Sequence, residues 1–351
     1  MGKRAESFRL WDGKQELGAR GLGSERSKVA DTKIEWATKV WNPVTGCTKI
    51  SPGCKNCYMF REYPRLARMG VKGYAGGRPD QVRVWPDKLD APLHWRKPAR
   101  VFVNSMSDLF HKAVTVRFIA EVFNTMVAWR LDCRKRDCEH DEEDCYSDPG
   151  HTFLILTKRP ERMLEILKPG GSLEQEVSEH WPGDSPIALA YEDKQPFPNI
   201  WLGVSVEDQK TADERIPLLL QTPAAVRFVS YEPALGSVNF GLYLTRNLFK
   251  PLRDPLPGID LVIPGGESGP GARPSVPEWF RSSRDQAVAA GVSYFFKQWG
   301  EWSPIGNASK HEYRDVPCGD GTHHRMFRVG KKAAGRLLDG REWNEYPKSR
   351  S

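Results

Sequence analysis

Short runs of consecutive apolar residues alternate with longer amphipathic stretches from about residue 32 onward. Six runs are rich in Val, Ile, Leu and Phe, as is typical of strands buried on both faces of a parallel sheet. They lie at 100–106, 152–158, 199–206, 226–232, 260–266 and 293–299. Apolar positions recur at helical spacing in 114–131, 211–221 and 278–291, the last closing at Gly291. This alternation predicts an α/β fold with a parallel sheet.

Polar and glycine-containing sequence follows every one of these apolar runs. The residues at the ends of the runs or directly after them include Ser105, Ser107 and Asp108; Lys158 and Arg159; Glu207; Glu232; Gly265, Gly266 and Glu267; and Lys297. In α/β barrels the carboxyl ends of several strands together build the active site. The pattern therefore predicts a parallel (βα) barrel, partial or complete, of about six strands, with a site at those ends.

The segments outside the strands and helices divide the chain further. Residues 1–31 have no sustained periodicity and are expected to form a flexible basic arm. Residues 32–305 form the predicted barrel domain, with loop insertions at 132–150 and 168–198, the second expected to be a long loop. Residues 306–351 are expected to be a C-terminal extension packed on the barrel.

The excess of positive charge at the two ends of the chain equals the net charge of +7. Residues 1–33 carry 8 Lys/Arg against 5 Asp/Glu, residues 306–351 carry 10 against 6, and the 272 residues between them carry 34 of each. Basic ends increase affinity for phosphate backbones in a salt-dependent way. Solvated tails are the alternative interpretation.

Composition also indicates where the protein works. No run of about eighteen apolar residues is present, so no membrane partner is expected. The first residues lack the apolar core of a signal peptide, and seven cysteines in two main groups suit reduced thiols or metal ligands. These features predict a cytoplasmic protein.

The first cysteine group is the stretch GCTKISPGCKNCY, residues 46–58. Cys47, Cys54 and Cys57 are spaced C-x6-C-x2-C, and no fourth ligand lies within twenty residues. Zinc would need a fourth ligand supplied through the fold, for which His94 and His111 are candidates. A 4Fe-4S cluster bound by three thiolates leaves one iron open. The missing ligand and the strand pattern favour the cluster.

The second cysteine group is Cys133, Cys138 and Cys145, with His140 between the last two. These residues form a candidate Cys3His zinc site or auxiliary cluster. Their spacing is uncommon for zinc, and an acidic surface loop is the alternative.

Several long motifs resemble a known family. They include residues 32–58, VFVNSMSDLFH (101–111), HTFLILTKRPERM (151–163), GGESGPGARP (265–274) and GKKAAGRLLDGREWNEYP (330–347). Together they resemble the three-cysteine phage-protein family named Gp-thirty-seven/Gp-sixty-eight, over about residues 32–347. That family is a domain of unknown function whose cysteine motif is regarded as similar to that of radical S-adenosylmethionine proteins, and its members often lie beside a three-Cys-motif partner protein.

The cysteine loop is also similar to that of the spore photoproduct lyase group, in which a tyrosine follows the last cysteine as Tyr58 does here. It differs from the common C-x3-C-x2-C spacing, and Asn56 stands where an aromatic residue is usual. The resemblance implies a radical S-adenosylmethionine enzyme with a 4Fe-4S cluster at Cys47, Cys54 and Cys57. It also implies a reductant protein such as flavodoxin or ferredoxin.

The resemblance further implies roles for the residues that follow the strands. Ser105, Ser107 and Asp108 would contact the amino group of S-adenosylmethionine, and Lys158 and Arg159 its carboxylate or a substrate phosphate. Gly265, Gly266 and Glu267 would contact its adenosyl portion, and Glu207 is a further candidate for cofactor binding. Glu232 and Lys297 are candidates for proton transfer or substrate orientation.

Two functional hypotheses remain at this point. Basic ends, twelve tryptophans and the phage association favour a nucleic acid or nucleotide substrate for a radical enzyme. The alternative is a zinc-stabilised, non-catalytic module that binds nucleic acid or protein.

Overall fold

Seven parallel strands form the central sheet of the computed structural model, which describes residues 32, 34–131, 150–183, 185–192, 196–244, 258–319 and 321–347. Their order across the sheet is β1 (Lys39–Trp41), β4 (Arg100–Val103), β5 (Thr152–Thr157), β6 (Ile200–Val206), β7 (Val226–Tyr231), β8 (Leu261–Pro264) and β9 (Ser293–Tyr294). Two smaller antiparallel sheets pair β2 (Val44–Thr45) with β3 (Arg83–Val84), and β10 (Trp302–Ser303) and β11 (Tyr313–Pro317) with the central β12 (His323–Arg328).

All six predicted strands are confirmed, and they are β4 to β9. Their apolar runs form strands because both faces are covered: every residue of β6 is buried. The seventh strand, β1, has only three residues, too few for a distinct pattern. At the other edge β9 is shorter than the predicted run 293–299, although Gln298 still bridges to Gly265 as a parallel partner.

Helices cover the sheet and connect its strands. They are α1 (Tyr58–Arg68), α2 (Val116–Leu131), α3 (Pro160–Leu167), α4 (Ser172–His180), α5 (Pro186–Glu192), α6 (Gln209–Gln221), α7 (Gly241–Leu244), α8 (Pro277–Ala289) and α9 (Lys331–Ala334). The three predicted helices are confirmed as α2, α6 and α8. In the parts of the chain that the structure describes, no helix combines the length and apolar character needed to cross a bilayer.

The expected long loop at 168–198 is wrong, because α4 and α5 lie within it. Each of these helices buries few residues, and those of α4 are Leu173 and Val177, one helical turn apart. The segment is rich in Glu, Pro and Gly, so its composition indicates a loop although this short apolar stripe is present. The arm at 1–31 and nearly all of the insertion at 132–150 lie outside the described residues, as does the second cysteine group.

Each strand of the central sheet pairs in parallel with the strand that follows it across the sheet. From β4 to β9 this order is also the order along the chain, so successive crossovers advance in one direction without reversal. Consequently all seven carboxyl ends lie on one edge of the sheet, here called the carboxyl edge.

The core on one face of the sheet centres on Trp36. Its ring lies 4.5 Å from that of Phe102 on β4 and 6.0 Å from that of Phe228 on β7. Those two strands are three intervals apart, about 14 Å in a flat sheet. One indole contacts both, so side chains from strands three intervals apart converge on Trp36.

Tyr346, close to the C-terminus, contacts residues near the first strand and near the last strand of the central sheet. Its ring lies 5.3 Å from that of Phe295, which follows β9, and 4.1 Å from the guanidinium carbon of Arg100. Its hydroxyl donates to the carbonyl of Trp36, which precedes β1, at 3.3 Å. The C-terminal segment thereby links the first and last strands.

Candidate functional site

The three cysteines of the first group lie on one loop at the carboxyl edge. Gly46, which forms a parallel bridge with Ser107, leads into it with φ +84°. A side chain there would meet the carbonyl of Gln81 at 2.1 Å, so both conformation and space require glycine. The loop then turns through a short 3-10 helix, Pro52–Cys54, and Cys57 precedes α1.

The three thiols are free and close enough to affect each other electrostatically. Burial and Asp108 raise the pKa of Cys47 to about 11, although Arg159 acts in the opposite direction. Burial also raises the pKa of Cys57. Burial opposes ionisation of Cys54 as well, but the Lys158 ammonium and hydrogen bonds outweigh it and lower its pKa. A charge on Cys54 raises the pKa of both other cysteines.

The first ion-pair network joins the cysteine loop to β4 and β5. Arg159 pairs with Asp108 at 2.7 Å and approaches the sulfur of Cys47 at 3.7 Å. Its other terminal nitrogen donates to the carbonyl of Thr48 at 3.0 Å. Asp108 is held in turn by the hydroxyl of Thr157 at 2.8 Å. The predicted residues Asp108 and Arg159 are thus brought together beside the first thiol.

The second network joins the loop to β6 through the fully buried carboxylate of Glu207. Lys158 and Arg215 both pair with this carboxylate, Arg215 at 3.0 Å. Ser51 donates to it at 2.8 Å and lies 3.6 Å from the sulfur of Cys54. Burial would raise the pKa of Glu207, but the two cations outweigh this effect and lower it.

The third network joins the loop to the segment after β8. Arg273 pairs with Glu267 at 2.6 Å and donates to the carbonyl of Pro52 at 3.0 Å. Asn56 donates to Glu267 at 3.0 Å and to the carbonyl of Gly271 at 2.8 Å. The side-chain amide of Asn56 therefore fastens the loop to the segment after β8.

A fourth polar group lies where β7 and β9 end. Lys297 pairs with Glu232 at 2.7 Å, and the amide nitrogen of Gln298 donates to Glu232 at 3.2 Å. Gln298 is 3% exposed, and its Oε1 has no hydrogen-bond partner among the described residues. Because a buried acceptor without a donor is costly, this oxygen marks a place for a ligand or water.

The remaining predicted residues contact protein atoms. Ser107 donates to the carbonyl of Val44 at 2.8 Å, and Ser105 donates to the side-chain oxygen of Asn42 at 3.2 Å. A side chain on Gly266 would meet the carbonyl of Trp299 at 1.9 Å.

Gly265 has a similar protein neighbour, since a side chain there would lie 3.2 Å from the Glu232 carboxyl. Close packing against a backbone carbonyl therefore requires glycine at position 266, whereas at position 265 the contact is tight but involves only the Glu232 side chain. Their predicted contact with an adenosyl group stays a prediction.

His111 lies next to the cysteine loop, and its ring nitrogens are both engaged. The Nε2 atom lies 2.9 Å from the hydroxyl of Thr48, and Nδ1 accepts from the backbone N–H of Ala113 at 3.1 Å. The other candidate, His94, pairs with Asp90 at 3.2 Å. Within the described residues, no three His, Cys, Asp or Glu side chains converge as a single metal ion requires.

Sequence reasoning missed four residues that hold the loop directly or through Glu207: Ser51, Asn56, Arg215 and Arg273. One of them left a signal. Arg215 falls on the buried stripe of α6 beside Ala212 and Ile216, and a buried arginine requires an acidic partner.

Comparison with known proteins identifies a family. No curated protein and no solved structure matches the chain. A family model described as "protein of unknown function (DUF5131)" matches residues 31–131 and 143–347. This match covers most of the sequence, and the chain belongs to that family of proteins of unknown function.

Proposed function

We propose that the protein is a radical S-adenosylmethionine-type iron–sulfur enzyme whose cluster is held by Cys47, Cys54 and Cys57. The observation that carries the proposal is the triple attachment of the cysteine loop to the carboxyl edge. Three ion-pair networks, each from a different part of the sheet, fix the loop on both sides of its thiols. Such attachment keeps donor atoms in place before a cofactor binds.

The donor set suits a cluster better than a single ion. A zinc ion needs four donors that converge on one point, whereas each thiolate of a 4Fe-4S cluster binds a different iron. The three free thiols share one loop, and two of them, Cys47 and Cys57, border the apolar group of Met59, Tyr63 and Met106. An apolar wall limits water access to a cluster.

The charges beside the thiols also suit an anionic group. Three cations, Lys158, Arg159 and Arg215, face only two carboxylates, Asp108 and Glu207. The positive charge favours the thiolate at Cys54, whose pKa Lys158 and hydrogen bonds lower against the effect of burial. At Cys47 the guanidinium of Arg159 lies 3.7 Å from the sulfur, but burial and Asp108 outweigh it and raise the pKa. Thiolates are the form that binds iron.

When bound, the cluster would supply the electron that cleaves S-adenosylmethionine to a 5′-deoxyadenosyl radical. The chain's own residues would bind and orient. Lys158 is 2.8 Å from the hydroxyl of Ser205 and offers a cation to a carboxylate. Gln298 offers an acceptor to an amino or hydroxyl group, beside the Glu232–Lys297 pair.

We further propose that the sheet is a partial (βα) barrel. The one-way strand order, the contacts of Trp36 across three strand intervals and the link made by Tyr346 between the sheet's edges all support this architecture. In barrels, loops at the carboxyl ends carry the chemistry.

The test is reductive cleavage of S-adenosylmethionine. When protein that has been reconstituted anaerobically with iron and sulfide is reduced in the presence of S-adenosylmethionine, it should release 5′-deoxyadenosine. The Cys54→Ala variant, treated identically, should release none. Release by neither protein, together with one zinc and no iron in the isolated wild type, would support the zinc-stabilised binding module instead.

A further inference from the structure

Positive charge is concentrated in one segment beside the candidate site. Residues 49–97 carry eleven Lys/Arg and four Asp/Glu, an excess of seven that equals the net charge of the whole chain. The remaining 302 residues therefore carry 41 charges of each sign. The 272 residues between the two ends carry equal numbers of positive and negative charges, because acidic residues outside 49–97 offset the excess of Lys and Arg within it.

Helix α1 presents part of this charge as a single exposed stripe. Arg61, Arg65 and Arg68 are spaced i, i+4 and i+7, which places them on one face over about 10.5 Å of helix axis. The buried residues Met59 and Tyr63 lie on the opposite face. The helix is anchored by its apolar side and turns its arginines to solvent.

The cysteine loop, which precedes α1, adds two exposed lysines. Lys49 donates to the backbone carbonyl of Lys55 at 2.9 Å, and the Lys49 ammonium is 4.8 Å from the ring centre of Phe60 on α1. We call Lys49, Lys55, Arg61, Arg65 and Arg68 the basic face. All five residues are exposed.

The basic face is only partly neutralised by the protein. Glu62 pairs with both Arg61 and Arg65, at 3.3 and 3.0 Å. The side chains of Lys55 and Arg68 have no acidic partner in the described part of the chain. Exposed pairs of this kind are weak, so their arginines remain available to another anion.

The face also adjoins the carboxyl edge. A side chain on Gly269, in the segment after β8, would meet the guanidinium of Arg61 at 1.7 Å. The same segment contains Arg273, which pairs with Glu267 at the edge. An anion that runs along the stripe would therefore reach the mouth of the candidate site.

We propose that the basic face binds the phosphate backbone of a nucleic acid. Three arginines along one face of α1, with two exposed lysines on the loop before it, suit a polyanion with regularly spaced charges better than a compact ligand. A phosphate recurs about every 3.4 Å along a strand of duplex DNA. Delivery of a nucleotide to the edge rests on the proposed function, but binding of the backbone does not.

The experiment measures fluorescence anisotropy of labelled 20-nucleotide DNA, the matching RNA and the DNA duplex, with metal-free and with reconstituted protein. The triple variant Arg61→Gln/Arg65→Gln/Arg68→Gln should bind its preferred probe at least about tenfold more weakly. Its slope of log affinity against log salt should fall by about 2, since each lost phosphate contact contributes about 0.7 on a single strand. Glutamine preserves the helix, which circular dichroism verifies.

The matched control is Arg314→Gln/Arg325→Gln/Arg328→Gln on β11 and β12, which removes the same charge from elsewhere on the protein. It should leave affinity within about twofold and the salt slope unchanged. Equal losses in both triple variants, or no binding of any probe by the wild type, would overturn the proposal. Because the metal-free protein is also measured, the binding result can be interpreted even if the protein holds no cluster.

Discussion

The α-carbon of Gly53 lies directly against the carboxylate of Glu207. A Cβ atom at Gly53 would stand 2.4 Å from Oε1 of Glu207 and 2.6 Å from its Cγ. The carboxylate has no room to retreat, because it is buried between Lys158 and Arg215. The cysteine loop and the end of β6 therefore fit together only while position 53 has no side chain.

Replacement of Gly53 by alanine should disturb both stability and iron binding. The added methyl forces the loop away from Glu207, at a cost of about 1–3 kcal/mol in the free energy of unfolding. Urea denaturation measures the loss, and iron analysis after reconstitution should show reduced occupancy. Gly183→Ala is the control, since nothing lies within 4 Å of its Cβ position. An unchanged iron content in Gly53→Ala would contradict the role given to this contact.

The Glu207→Gln substitution should be strongly destabilising although it preserves shape. It leaves Lys158 and Arg215 without their shared carboxylate in a buried site, and loss of one partner from a buried ion pair costs about 3–5 kcal/mol. The surface variant Glu62→Gln removes a carboxylate that also pairs with two cations, but it should change stability by less than about 1 kcal/mol. Similar effects of the two variants would show that burial of Glu207 does not matter.

Single replacement of Cys47, Cys54 or Cys57 by alanine should abolish assembly of an intact cluster. Each thiolate is proposed to bind a different iron, so none can substitute for another. Cys318 is the matched control, because its thiol contacts Glu278 at 3.6 Å, far along the chain from the loop. Iron and acid-labile sulfide per chain give the readout. Full iron in Cys47→Ala would exclude that residue as a ligand.

Asp339 should make the protein sensitive to acid. Hydrogen bonds from Arg281 lower its pKa to about 2, with Arg284 adding to the effect, although burial opposes them. A lowered pKa stabilises the folded state above the unfolded value of about 3.9, and this contribution disappears as the pH falls toward about 2.

The stability difference between wild type and Asp339→Asn should therefore be largest near about pH 6 and shrink at about pH 3. Urea unfolding of both proteins at the two pH values measures it. Asparagine also accepts the φ of +54° at this position, so the substitution does not strain the backbone. A difference that grows with acidity would refute the assigned direction.

The strands could be predicted from sequence because burial on both faces leaves continuous apolar runs. Strand β1 could not, since three residues carry too little pattern, and α4 and α5 were hidden by a polar composition around few buried positions. Strands and helices could therefore be predicted wherever the apolar pattern extended over enough residues.

The candidate site could be predicted only in part. The sequence indicated the thiols and the polar residues after each strand, but it did not indicate which of these residues contact each other. Ser51 meets Glu207 across 156 positions, and Asn56 meets Glu267 across 211. Such partners depend on the curvature of the sheet and on loop paths, which neither periodicity nor spacing specifies.

Metal and sulfide analysis of anaerobically purified wild-type protein decides whether Cys47, Cys54 and Cys57 hold an iron–sulfur cluster. We expect brown protein with about four irons and four acid-labile sulfides per chain and broad absorption from sulfur-to-iron charge transfer. Colourless protein that contains one zinc and neither iron nor sulfide would contradict this expectation.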